Sequence, residues 1–429
     1  MTVTAGAPAP EDLAVVVPAL NQASSLRRFL PALAASTRAL AIRSVVIVVD
    51  GGSTDDTAAV ARAHGARVVD QMRPGNGAAL LEGFAAAGDI PFVLTVDADL
   101  PESLGFLPDL WSARDRGDLI VASRYAAGDD GRSPSPGRRL SRVLNRVYSR
   151  ALSVPVRDLS SGYRLYHRHI VGSLTLASPD VAVLPEILVR LYAEGYRVAE
   201  VPFAFASHNE GRSVAEVAGL GWSYLKALAR LWRLRNSIAS ADYDHRAHDS
   251  AIWLQRYWQR ARHRIILGFS AGGGRILDVG CGSSRILGDL PGAVGVDVLL
   301  RKLRFLRPSH PQVAQASVFA LPFPDASFDT VICSEVIEHI PDEPVVLGEL
   351  NRVLRPGGIL VLGTPDYGRV LWHIIEWAYG MVAPGGYADE HITHFDRRGL
   401  EQRLDALGYE RLDCQYVGFC EMILKARKR

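Results

Sequence analysis

Residues 45–57 read VVIVVDGGSTDDT: five apolar β-branched residues, then an acid, two glycines and a run of Ser, Asp and Thr. An apolar run this short predicts a strand buried on both faces, and the Gly, Ser and Asp cluster predicts its turn into a helix. Working outward, Leu13 to Val17, Arg67 to Val69, Phe92 to Val96 and Leu119 to Ala122 read as further strands. Ser24 to Arg38, Thr54 to His64 and Gly77 to Ala87 between them carry helical spacing with capping residues at their starts. Strand and helix in alternation predict a mostly parallel sheet. The pattern starts again after about residue 270, with Arg275 to Val279, Ala293 to Asp297, Thr330 to Cys333 and Gly358 to Gly363 as strands. Two helical stretches, Glu216 to Leu234 and Ala251 to Leu267, lie between the two series. The expectation is two α/β domains, 1–240 and 241–429, in a chain of 429 residues.

Composition narrows the class. With 48% hydrophobic and 22% charged residues the chain has the make-up of a folded globular protein rather than a disordered one. A formal charge of +2 gives no reason to expect nucleic acid as a partner. Cys281, Cys333, Cys414 and Cys420 show neither CxxC nor zinc-ligand spacing, which points to a reducing compartment. No signal-type segment or long apolar span is evident, so the expected location is cytoplasmic, with peripheral contact at the cytoplasmic membrane.

In the first half, strands end in polar or acidic residues: Pro18 to Gln22, Asp50 to Asp55, and Asp97-Ala98-Asp99. Carboxyl ends of strands are where a doubly wound sheet collects ligands. Two carboxylates one residue apart suit Mg²⁺ or Mn²⁺, which neutralises a diphosphate leaving group. With VVVPALNQ (15–22), VVDGGSTDDT (48–57), GNGAALLEGF (75–84) and VDADL (96–100), residues 10–235 resemble the family 2 glycosyltransferases. The resemblance implies a GT-A fold, an inverting mechanism and a nucleotide-sugar donor held by Pro18, Asn21, Asp50, Asp55 and Asp97. It assigns metal and diphosphate to Asp97 and Asp99. VASRYAAGDD (121–130), VRDLSSGYRLYHR (156–168) and GYRVAEVPFAF (195–205) look like the dolichyl- and polyprenyl-phosphate sugar synthases. The implied acceptor is a polyprenyl phosphate or a glycan, with Arg124, Arg138, Ser141, Arg164 and Arg212 as the acceptor-phosphate residues.

Arg132 to Arg168 holds nine arginines and one acid, Asp158, with Arg138, Arg142, Arg146 and Arg150 at i, i+4 spacing. Leu140, Val143, Leu144 and Val147 fall largely on another face. One expectation is a basic amphipathic helix on the inner leaflet; the other is a helix whose apolar face packs on its own domain. Gln22, Asn76 and His208 depart from the family pattern, and they motivate an alternative in which this half is a noncatalytic glycan- or lipid-phosphate-binding module. A third reading has a sugar hydroxyl as the acceptor.

In the second half, Arg275-Ile-Leu-Asp278-Val-Gly280-Cys-Gly282 reads as a buried strand and Gly-rich turn, with Arg285 where a dinucleotide motif has its third glycine. Asp297 ends the next strand. With ASVFALPFPDASFDTVICSEVIEHIP (316–341) and ELNRVLRPGGILVLGTP (349–365), residues 245–429 resemble the class I S-adenosylmethionine-dependent methyltransferases, a Rossmann-like fold. The resemblance implies S-adenosyl-L-methionine held by Asp278, Gly280, Gly282, Asp297, Ser317 and Leu321, with Glu335 facing the transferred methyl. Candidate bases are His339, His391 and His394. The Asp389–His394 cluster also reads as a metal site or as the cap of a helix starting near Arg397, and Val370 to Val382 as an acceptor lid or a core helix. The expected function is bifunctional: sugar transfer, and methylation of the same or a related product.

Overall fold

The computed structural model describes residues 11–99, 101–126, 136–180, 182–203, 214–341, 344–382 and 391–429, with side chains left aside at 136–141, 214–224 and 378–382. The chain forms two compact units, one of residues up to 192 with 196–235, the other of 236–429 with 193–195.

The first unit is built on a seven-stranded sheet of order β3-β2-β1-β4-β6-β5-β7. Its strands are β1 (Leu13–Ala19), β2 (Ser44–Asp50), β3 (Arg67–Asp70), β4 (Phe92–Thr95), β5 (Leu119–Ser123), β6 (Arg164–His167) and β7 (Val198–Pro202). β1 pairs in parallel with β2 and with β4, so chain order reverses beside it. β6 runs antiparallel to β4 and β5 and makes the sheet mixed. The alternation of β1 explains the two-sided core: Leu13, Val15 and Val17 pack on one face, Ala14 and Val16 on the other. Each such aliphatic side chain contributes about 1.5–3 kcal/mol when fully buried.

The second unit carries a seven-stranded sheet of order β10-β9-β8-β11-β12-β14-β13. These strands are β8 (Ile276–Val279), β9 (Val294–Asp297), β10 (Val313–Gln315), β11 (Phe328–Ser334), β12 (Leu354–Pro365), β13 (Tyr409–Val417) and β14 (Glu421–Lys428). The reversal falls between β8 and β11, and β14 pairs antiparallel with both β12 and β13. The helix Trp253–Ser270 supplies Ile266 and Phe269 to one face of this sheet.

The Arg-rich segment is a helix, Pro136–Ala151, and the structure overturns the expectation that its apolar face packs inward. Asn145 and Tyr148 are buried, whereas Val143 (56% exposed), Leu144 and Val147 (49%) face solvent with Arg146 and Arg150. Asn145 fixes this orientation: its Oδ1 accepts from Leu159 N (2.7 Å) and its Nδ2 donates to Ser160 Oγ (3.1 Å). Val370–Val382 is likewise a helix, but not a core one, because Val370, Ile374 and Trp377 are exposed at i, i+4, i+7.

Candidate functional sites

In the first unit, the carboxyl ends of β2 and β4 flank that of β1. Asp50 closes β2 and takes Ser53 N (3.2 Å) and Ser53 Oγ (2.5 Å), which holds the GGST turn against the sheet edge. Pro18 lies within β1, opposite Val49. Asn21 follows β1 with φ 54, a conformation rare for non-glycine residues. Its Oδ1 accepts from Thr54 N at 2.9 Å, and its N donates to Ser53 Oγ at 2.9 Å. Asp55 corrects the donor-site expectation. Its carboxylate is taken up by Ala23 N and by the N and Oγ1 of Thr57, so it ties the starts of two helices together.

Asp97 and Asp99 lie just past β4 and open to solvent. Asp97 rests against Gly162, where a Cβ would stand 3.4 Å from its Oδ2. The protein packed around it, and then the charge of Asp99, push Asp97 up to about 6, while Arg124 works in the opposite direction. Arg124 is itself held by Asp158 in a two-pronged pair, both contacts 2.7 Å, with Ser160 Oγ as a further acceptor. Burial pushes the Asp158 carboxyl up, but hydrogen bonds and charge from Arg124 outweigh it and hold it below the ordinary range. Arg142, from the exposed helix, lies over the same Tyr125 ring as Arg124, at 5.7 and 5.5 Å.

Arg164 is a second correction. It is 0% exposed, and its guanidinium donates to the carbonyls of Ser161, Leu184 and Leu159 at 2.7–2.8 Å. It braces the loop before β6 from within and cannot reach an acceptor. The side chains of Arg138 and Ser141, and all of Arg212, lie outside the described residues.

In the second unit a cleft of about 690 Å³ opens at the carboxyl ends of β8, β9 and β11. Gly280 (φ 71) and Gly282 (φ 56) turn the chain there. A Cβ at the first would run into Val336, and one at the second would stand 2.8 Å from Asp244 Oδ2. Asp297 accepts from Gly282 N (2.8 Å) and Leu299 N (2.7 Å). Asp278 is 3% exposed, its Oδ2 has no hydrogen-bond partner, and burial followed by the Asp297 charge pushes it up to about 8. Ser317 lines the cleft, but Leu321 does not: it is buried in the core, and Val318 and Phe319 form that wall instead.

Glu335 follows β11 with φ 58 and meets Arg262 at 3.0 Å. Burial drives its carboxyl well above the ordinary range, against the pull of Arg262. Arg262 also pairs with the fully buried Glu421 (2.6 and 2.8 Å). His339 lines the cleft and packs on His391, ring centroids 4.9 Å apart. Burial and then the charge of His339 press His391 down to about 4, which makes it a weak base at neutral pH. His394 is exposed and stacked on Tyr367 at 3.9 Å, the tyrosine whose hydroxyl meets His391 Nδ1. The helix Arg397–Ala406 is capped by Asp396, which accepts from Gly399 N at 2.6 Å, so the described histidines do not serve as its cap. Asp389 and Glu390 lie outside the described residues.

Three residues on the cleft escaped the sequence reading. Asp244 takes Lys302 Nζ (2.8 Å) and both N and Oγ of Ser283 (3.1 Å each) beside the Gly-rich turn. Lys302 and Arg262 are its basic counterparts. Arg262 sits on the helix Trp253–Ser270 and Lys302 on the helix Leu300–Leu306, and no motif marks either of them or Asp244.

Residues 14–175 match the family described as Glycosyl transferase family 2, and residues 277–362 match Methyltransferase domain. An uncharacterized glycosyltransferase of Mycobacterium tuberculosis is 34% identical over 233 residues, 53% of this chain and 99% of that protein. The polyprenol monophosphomannose synthase of Mycolicibacterium smegmatis is 32% identical, over 53% of this chain and 89% of that protein. A probable S-adenosylmethionine-dependent methyltransferase of the same organism is 34% identical over 26% of this chain and 47% of its own length.

Proposed function

The first half of this chain belongs to glycosyl transferase family 2 and its second half carries a methyltransferase domain, and from that premise we propose one bifunctional enzyme. The first unit transfers a sugar from a nucleotide-sugar to a polyprenyl phosphate. The second methylates the same or a related glycan with S-adenosylmethionine as methyl donor.

One observation carries the reading. At or beside the strand-order reversal of each sheet stands a pair of carboxylates, Asp97 with Asp99 and Asp278 with Asp297, in which the protein packed around it and the neighbour's charge hold one member above its ordinary range. Such pairs favour a cation. At Asp97 and Asp99, in a solvent-open edge, Mg²⁺ or Mn²⁺ fits, and it supplies neutralisation of the departing diphosphate. In the enclosed cleft, Asp278 with its unpartnered oxygen suits the positive end of S-adenosylmethionine, while Asp297 suits the ribose hydroxyls.

A phosphate acceptor is already anionic near neutral pH. Its oxygen attacks the anomeric carbon, and the bond to the diphosphate breaks with the electron pair leaving on that group. No protein base is required. This agrees with Asp158 being spent on Arg124. Arg124 and Arg142, both over the Tyr125 ring, support this reading as cations near the sheet edge that would receive the phosphate. The exposed Val143, Leu144 and Val147, flanked by Arg146 and Arg150, support contact with an anionic lipid surface that presents the acceptor.

The test is sugar transfer from a panel of uridine and guanosine diphosphate sugars to polyprenyl phosphate with Mn²⁺ or Mg²⁺, and thermal stabilisation by S-adenosylmethionine in parallel. Transfer and stabilisation are both expected. Failure with every donor, while S-adenosylmethionine still stabilises the chain, would sink glycosyl transfer and leave the second half standing.

A further inference from the structure

The short turn Ile337–His339 after β11 and residues 391–393 meet in the second unit. Main-chain bonds pin them together: Ile392 N and Thr393 N both donate to the Glu338 carbonyl, at 2.8 and 3.0 Å. The junction gathers Glu338, His339 and His391, with one ligating atom from each lying within 4.8 Å of the others.

Two unpartnered atoms point to something missing between them. Glu338 is fully buried; its Oε2 accepts from Thr364 Oγ1 at 3.1 Å, but its Oε1 has no hydrogen-bond partner. The His391 side chain is 2% exposed, and its Nε2 is also without one. The tautomer of His391 follows from its other side. Tyr367 Oη gives its single proton to Glu376 Oε1 (2.8 Å), so toward His391 Nδ1 (2.7 Å) it can only accept. The proton therefore sits on Nδ1, and the Nε2 lone pair is left facing the interior. Both atoms are buried, and neither has a hydrogen-bond partner. The ligating atoms of the three residues lie within 4.8 Å of one another, close to the roughly 3–4 Å that separates atoms bound to one metal ion at about 2.0–2.2 Å.

We propose that Glu338, His339 and His391 form a binding site for one divalent transition-metal ion of the Zn²⁺, Mn²⁺ or Co²⁺ class. Two imidazoles and one carboxylate discriminate against Mg²⁺ and Ca²⁺, which prefer all-oxygen shells such as Asp97 and Asp99 would give. Tyr367 is the positioning residue, since a ligand histidine is oriented by what its second nitrogen touches. His339 lines the cleft beside Glu335, so positions left open by the three protein ligands face the space where an acceptor meets the methyl donor. There the ion would hold an acceptor oxygen and favour its deprotonated form. That role rests on the methyltransferase reading; the metal site does not.

The experiment titrates Co²⁺ into the chelator-treated full-length chain and follows visible absorption, with binding of S-adenosylmethionine measured on the same samples. One equivalent with imidazole-type bands is expected, retained when Asp97→Ala and Asp99→Ala are combined. The bands should vanish in Glu338→Gln and in His391→Ala. Tyr367→Phe, which keeps all three ligands, should weaken binding about 10–100-fold. The proposal is overturned if the bands never form, if they persist in His391→Ala, or if Tyr367→Phe binds like the parent. A chain that shows the bands but does not bind S-adenosylmethionine keeps the metal site and removes the methyltransferase reading.

Discussion

Asp278→Asn isolates the charge that the second cleft holds in reserve. With its carboxyl pushed up to about 8 by burial and Asp297, Asp278 is only about one part in a hundred ionised at pH 6 and about half ionised at pH 8. A cationic ligand binds the ionised form and must expel the proton first. The apparent affinity for S-adenosylmethionine should therefore rise nearly tenfold per pH unit from 6, reaching about 50-fold by pH 8, or about 2 kcal/mol. Above pH 8 at most about a further twofold remains, because Asp278 is by then half ionised. Asparagine keeps the shape and removes both the charge and the proton, so the variant should bind weakly with little slope between pH 6 and 8. Isothermal titration in buffers of different ionisation enthalpy would count the released proton directly: nearly one at pH 6.5 in the parent, near zero in the variant. A parent affinity that is flat over this range, or a variant with the parent's slope, would refute the assignment of the cation to Asp278.

Other expectations follow from the first unit. Asp97→Ala combined with Asp99→Ala should lower metal-dependent donor hydrolysis about 100-fold or more, read by release of nucleoside diphosphate. In the parent, a proton competes with the metal at Asp97, so Mn²⁺ affinity should fall as pH drops below about 6, as calorimetry at pH 5 and 7 would show. Arg164→Met should destabilise the unit by roughly 3 kcal/mol or more by stranding three buried carbonyls, with a lower denaturant midpoint and an unchanged KM for acceptor in the folded fraction. Leu144→Glu with Val147→Glu should leave that midpoint nearly unchanged but weaken sedimentation with anionic vesicles about tenfold or more.

The strands that read clearly in the sequence are those buried on both faces. β1 and β2 are nearly unbroken apolar runs because helices cover the sheet on either side. The same property hid others. β6 is only RLYH, a short antiparallel insertion whose arginine is turned inward, so its composition resembles a loop. β13, YERLDCQYV, is an edge strand with most side chains in or near solvent and no apolar run to mark it. Charge density misled in the same region. Arg164 and Arg146 look alike in an Arg-rich stretch, yet one is sealed on backbone carbonyls and the other faces water. Only tertiary context separates them. Asp244 was invisible for a related reason: its partners Ser283 and Lys302 are 39 and 58 residues away, and no local pattern announces a pairing of that span.

The second unit also bears on what a net charge of +2 means. Around one cleft and the turn beside it stand Asp244, Asp278, Asp297, Glu335, Glu338 and Glu421, with Lys302 and Arg262 as the cations that pair with Asp244, Glu335 and Glu421. Lys302 answers Asp244, and Arg262 is divided between Glu335 and Glu421. Asp278 and Glu338 have no ion pair of their own among the described residues, and burial, joined at Asp278 by the Asp297 charge and opposed at Glu338 by Thr364 and Arg262, pushes both carboxyls up to about 8. A fold that only had to be stable would gain by replacing such groups with apolar ones, because buried carboxylates without a counter-charge are costly. Their presence at strand ends is economical only if cations from outside complete them. Under the proposed function one is the positive end of the methyl donor at Asp278, and under the proposed metal site the other is an ion at Glu338. Binding of either should then raise the unfolding temperature by more at pH 8, where less proton must be displaced, than at pH 6.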